Sequence, residues 1–185
     1  MKKVLFVIVA GIIASAHLNA QESSFLKGDK VLNLGLGLGS TLYSGSYYVG
    51  QIPPVSASLE IGIVDGLAEK GVIGIGPYLG YSSYKYEYSG YGWKYSNIIL
   101  GARGSFHYPL VDKLDTYAGV LLGYNIVSSK EFGDPIPGND DSFASSGLAW
   151  SGFIGARYFF SDAIAAMAEL GYGIAWLNLG VALKF

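Results

Sequence analysis

The chain has 185 residues, 51% of them hydrophobic and only 14% charged, where a soluble domain carries about 25% charged. Its formal net charge is −2. Without a leader carrying Lys2 and Lys3, 12 − 2 = 10 basic residues face 14 acidic ones, a net of −4, which excludes the basic surface that nucleic acid requires. Cys is absent, so no disulfide framework holds the chain and no lipid-modified cysteine anchors it.

Residues 1–20 read as a cleaved secretory leader. Lys2 and Lys3 open it, an apolar stretch follows over 4–16, and Leu18-Asn19-Ala20 offers the cleavage site. The mature domain is then residues 21–185, 185 − 20 = 165 residues and one domain. Beyond Ala20 no apolar run reaches the roughly 20 residues of a membrane helix. A chain this apolar with 27 Gly and 15 Tyr needs another way to meet lipid, and a closed β-barrel is the other structure that satisfies every backbone group there.

Period-two alternation predicts eight strands, over 31–42, 55–64, 72–84, 95–108, 116–126, 148–160, 166–173 and 176–185. Each divides into an apolar class and a small or polar class. In the first, Leu32, Leu34, Leu36 and Leu38 oppose Asn33, Gly35, Gly37 and Gly39. In the last, Leu177, Leu179, Val181, Leu183 and Phe185 oppose Trp176, Asn178, Gly180, Ala182 and Lys184. Glu60, Arg103, Arg157, Glu169 and Lys184 all fall in the small or polar class. A soluble barrel would put charge outside, so here the apolar class faces lipid. With the first strand running away from the periplasm, Tyr81, Tyr124, Trp150 and Tyr172 fall at the outer rim of the lipid face. Phe106, Tyr108, Tyr158, Phe160 and Phe185 fall at the inner rim. Aromatic girdles occupy those two boundaries in membrane barrels. Connections alternate between short ones (65–71, 109–115, 161–164) and mostly longer ones (43–54, 85–94, 127–147), as periplasmic turns and external loops do. Both termini are expected in the periplasm.

Glu60, Arg103, Arg157 and Glu169 face the lumen at similar depth and form its candidate ion pairs, because buried charges need partners. A gated path for ions or protons is the alternative, yet eight strands enclose little more than their own side chains. Tyr78, Tyr117, Phe153, Phe159, Met167 and Trp176 are expected to close the lumen. With the leader removed, His107 has no second His and no Cys to complete a zinc site, and as a lone group near the periplasmic end it suits no lipid-modifying chemistry. No catalytic, cofactor or metal site is therefore expected. Tyr43, Tyr47, Tyr48, Tyr86, Tyr88, Tyr91 and Trp93 give the first two external loops a composition common at adaptable binding surfaces. The same period-two tyrosines would also prolong a hairpin above the membrane. Asp134, Asn139, Asp140 and Asp141 lack regular calcium-ligand spacing and read as a solvated turn.

The ending Leu179-Gly180-Val181-Ala182-Leu183-Lys184-Phe185, alternating and closed by an aromatic, resembles that of the small Gram-negative outer-membrane β-barrels of the OmpX/OmpA type. The resemblance implies an all-β, eight-stranded antiparallel up-and-down transmembrane barrel and an assembly signal at Phe185. The partners it implies are lipopolysaccharide and phospholipid, the barrel-assembly machinery, and an extracellular protein or glycan. No enzymatic activity and no cofactor follow from it. The expected role is structural, with loops that bind a partner, and a narrow porin-like channel is the alternative.

Overall fold

The computed structural model describes residues 24–40, 42, 48–88, 90–133 and 145–185, so the leader lies outside the described residues. Eight strands follow in chain order: β1 Lys30–Ser40, β2 Tyr48–Leu67, β3 Gly71–Tyr88, β4 Tyr91–Val111, β5 Leu114–Phe132, β6 Gly147–Phe159, β7 Ile164–Tyr172 and β8 Ala175–Lys184. Each pairs antiparallel with the next, and β8 closes on β1 from Val31↔Lys184 to Ser40↔Ala175. The result is an up-and-down barrel.

Alternation decides which way each side chain points. Leu122 and Ile154 are 61% and 59% exposed, whereas Glu60 and Arg157 are fully buried. Leu36, Leu38, Leu79, Leu100, Val120, Leu170 and Val181 join the exposed set. A surface that shows leucine to its surroundings and hides arginine is stable only against lipid. The fold is a transmembrane β-barrel. Ring pairs mark both rims of the belt. Phe106–Tyr108 at 6.4 Å and Tyr158–Phe160 at 5.5 Å lie near the end that carries the termini, and Trp150–Tyr172 at 5.5 Å lies near the far end.

Four strands are much longer than lipid requires. β2 to β5 run 20, 18, 21 and 19 residues, but about 9–11 tilted residues cross a bilayer. Their surplus rises past the far end as a four-stranded curtain. Residues 85–94, a connection whose period-two tyrosines also read as a prolonged hairpin, are strand over 85–88 and 91–94, with Gly90 in a turn. Cross-strand aromatic pairs hold this ladder together without lipid: Tyr84↔Tyr95, Tyr86↔Trp93 and Tyr88↔Tyr91. β2 enters the barrel through Pro53 and Pro54, and the β2–β3 register shifts between Ile52 and Val55, which is where a residue without an N–H is tolerated. Two of the three predicted short connections are shorter still: β2 and β3 are joined by residues 68–70, and β4 and β5 by Asp112 and Lys113 alone.

One lumenal assignment is wrong. Trp176, placed by alternation among the plugging residues, is 54% exposed. Its ring stands 5.6 Å from Tyr172, edge to face, and so extends the far-end girdle. The cause lies across the seam, where Gly39 has φ of +67° and breaks the regular pleat opposite Trp176.

Candidate functional site

The lumen is built in three layers. Toward the termini, Phe25, Val31, Val72, Phe159, Ala165 and Ala182 form one buried apolar cluster. Toward the far end, Tyr78, Ile99, Tyr117, Leu121, Ala149, Phe153 and Ile174 form another, with Leu42 packed on it. Between them sit the charges.

Sequence alternation brought Glu60, Arg103, Arg157 and Glu169 to one space, and the structure divides them into two pairs. Arg103 Nη2 lies 2.6 Å from Glu169 Oε1, and its guanidinium stacks 4.1 Å from the centre of the Phe153 ring. Arg157 donates to Glu60, and its Nη1 lies 3.4 Å from Asp115 Oδ2. Tyr117 links the two pairs, donating from its hydroxyl to Glu169 at 2.9 Å while Arg157 lies 4.6 Å over its ring. Charge-assisted contacts of this kind are what make buried ions tolerable.

Two members escaped the sequence reading. Alternation that begins the fifth strand at Thr116 places Asp115 in a turn. The strand starts at Leu114, and the parity that sends Tyr117 and Gly119 inward sends Asp115 inward too. By sequence His107 reads as solitary. Its Nε2 lies 2.9 Å from Glu60 Oε1 and its Nδ1 lies 2.9 and 3.0 Å from the two Asp115 oxygens. A ring between two ionised carboxylates satisfies both by donating from both nitrogens. The layer then balances three cations (Arg103, His107 and Arg157) against three carboxylates (Glu60, Asp115 and Glu169).

Phe25 completes the seal. It is fully buried, with its ring 4.3 Å from His107 and 5.7 Å from the Arg157 guanidinium. The preceding strand pattern gave no sign of it, because Phe25 precedes the first alternating segment. Backbone bonds hold the segment in place: Gly28 N–H to Gly62 O at 2.9 Å and Gly62 N–H to Asp29 O at 3.0 Å. Gly62 has to be glycine, since a Cβ there would run into the Leu26 carbonyl. Lys184 Nζ donates to the Ser24 carbonyl at 3.2 Å and stands 3.6 Å from the Asp29 carboxylate. These contacts are partly exposed, so Lys184→Met is expected to cost only about 0.5–1 kcal/mol in urea unfolding while speeding proteolysis around Ser24–Asp29.

The tyrosine candidates are arranged differently from external loops. Tyr48, Tyr86, Tyr88, Tyr91 and Trp93 belong to the curtain strands, and Tyr47 and Tyr43 lie outside the described residues. Tyr91 is buried and donates to Glu131 Oε1 at 2.6 Å. Tyr48 packs against Tyr86 at 5.2 Å and Tyr95 at 6.4 Å. Tyr88 is the exposed one. The aspartates at 134, 140 and 141 and Asn139 also lie outside the described residues. Phe185 follows β8 beside Lys30, its N–H bonded to the Lys30 carbonyl at 3.0 Å, with an exposed ring at the terminal rim.

No family model matches the chain, and no curated protein matches it. Among solved structures it is similar to the outer membrane protein OprG from Pseudomonas aeruginosa, at 10% identity and a TM-score of 0.48 over 89% of this chain and 99% of that one. It is similar to Ail, the attachment invasion locus protein of Yersinia pestis, at 9% identity and a TM-score of 0.46 over 86% and 96%. A de novo designed transmembrane β-barrel gives 16% identity and a TM-score of 0.46 over 86% and 97%. These are likenesses of fold alone, and the membrane reading stands on the exposed apolar belt. What the described residues themselves establish is a closed, eight-stranded transmembrane β-barrel.

Proposed function

We propose that the protein is a non-enzymatic outer-membrane barrel of a Gram-negative envelope, with both termini periplasmic, whose projecting curtain binds an extracellular protein or glycan. The observation that carries this reading is the asymmetry of strand length. Four adjacent strands run 18–21 residues while the other four run 9–13, so a whole wall of the barrel is extended where lipid contact needs none of it. The charged layer supports a structural role for the lumen, since each of its ions has a partner and an apolar layer lies on either side.

A narrow channel is the second reading, favoured by a cavity of about 20 Å³ beside Arg103, Glu169, Ser151 and Asn178. That is space for about one water molecule. Two measurements separate the readings. Shortening the hairpin by removing residues 85–93 should leave heat-modifiable gel migration intact and reduce attachment of expressing cells to matrix-coated surfaces. Planar bilayers with the refolded protein should show no steady openings. Openings abolished by Arg103→Ala would favour the channel, and undiminished attachment across matrix proteins and glycans would remove the binding role.

A further inference from the structure

Three lysines stand side by side on the curtain: Lys85 of β3 pairs with Lys94 of β4, which pairs with Lys130 of β5. Like charges directly opposite one another are unfavourable in a sheet, and no backbone geometry demands them here. The rows beneath show what this face looks toward. Ser83, Ser96 and Ser128 form the next row on the same face, and Tyr81, Ile98 and Ile126 the row after that. Ile98 and Ile126 belong to the exposed apolar belt. The lysines therefore stand four residues above lipid-facing side chains, about 10 Å of height for a strand rising ~3.3 Å per residue at a tilt of ~40°.

Local contacts shape the row without neutralising it. Lys85 is anchored by Glu87 at 2.5 Å and lies 4.4 Å over the Phe132 ring. Lys94 and Lys130 are exposed. The three lysines, Glu131 and Phe132 line a cleft of about 290 Å³, and the Glu131 carboxylate is engaged by Tyr91. Among the described residues, two carboxylates (Glu87 and Glu131) against three ammonium groups leave one positive charge in excess, on a chain that is acidic as a whole.

We propose that this row binds the phosphate groups of membrane lipids packed against the far-end rim of the barrel. A lysine ammonium suits phosphate as a point charge, and the belt below the row takes the acyl chains of the same molecule. That continuity selects a lipid over a soluble phosphate or an acidic protein. The match needs only the barrel in a bilayer; assigning the lipid to the outer leaflet rests on the orientation proposed above.

The mature chain, refolded into phosphatidylcholine nanodiscs containing a few mole per cent of bisphosphorylated lipid A, provides the test, with co-retained lipid A counted by native mass spectrometry. The variant K85Q/K94Q/K130Q should lose about fivefold in retention per lysine, on the order of 100-fold in all. The control K27Q/K70Q/K113Q, which removes the same charge near the terminal end, should lose less than twofold. Equal losses in both would show only bulk electrostatics and overturn the proposal. Full retention in the row variant would overturn it too, as would undiminished retention of lipid A stripped of its phosphates. If the triple variant fails to refold, K94Q alone should lose about fivefold and is judged by the same outcomes. Both leaflets of the disc carry the probe, so an error in the assigned orientation cannot produce any of these results.

Discussion

Replacing Arg157 by leucine should cost about 3–5 kcal/mol of stability, the range for removing one partner from a buried ion pair. The side chain is fully buried and touches two carboxylates, Glu60 and Asp115. Without it, His107 is the group among the described residues that still contacts both. The loss should appear as a lower urea midpoint in detergent or lipid, at an unchanged slope. A double variant Glu60→Gln/Arg157→Leu should recover part of the loss, because the stranded charge goes with its partner. A single-variant cost under about 1 kcal/mol, or a double variant as costly as the sum of the singles, would show that the charged layer does not hold the lumen together.

Arginine at Leu122 or Ile154 should cost about 2–4 kcal/mol each, provided the site lies near the bilayer midplane. Both side chains are exposed members of the belt: Leu122 pairs with Ala102 and Trp150, Ile154 with Ala118 and Leu170. A lumenal control has to be chosen from the structure. From sequence, serine at Gly123 or Gly155 is expected to be mild. Yet a Cβ at Gly155 would press on the Tyr117 ring at 2.7 Å, and one at Gly123 would meet the Leu100 carbonyl at 2.5 Å. Gly35 is the better control, because its added Cβ would meet the Ser56 hydroxyl at 2.9 Å and the end of Met167 at 3.4 Å, both of which can move. Gly35→Ser should therefore be much milder than Leu122→Arg. Equal costs would contradict the outward assignment of the leucine class.

Sidedness was readable because it depends on parity alone. Charge confined to one class and aromatics gathered at strand ends need no knowledge of which strands meet. Glu60, Arg103, Arg157 and Glu169 were found for the same reason. Their partners were not, since pairing depends on register and on how strands tilt around the closed ring. Parity also fails wherever the pleat breaks, as Trp176 shows opposite Gly39. It cannot follow strands out of the membrane either: above the belt no lipid enforces an apolar class, so the tyrosines of 84–95 could be read as loop or as ladder.

By itself, then, the order of residues determined eight crossings, the face each presents to lipid and the charges that must be inside, because period-two burial is a local property of an extended chain. Only closure of the barrel decided that His107 lies between Glu60 and Asp115, that Phe25 seals the terminal end, and that three lysines share one row. Those contacts join residues far apart in sequence, and they exist only once hydrogen-bond register has set each strand's height against its neighbours.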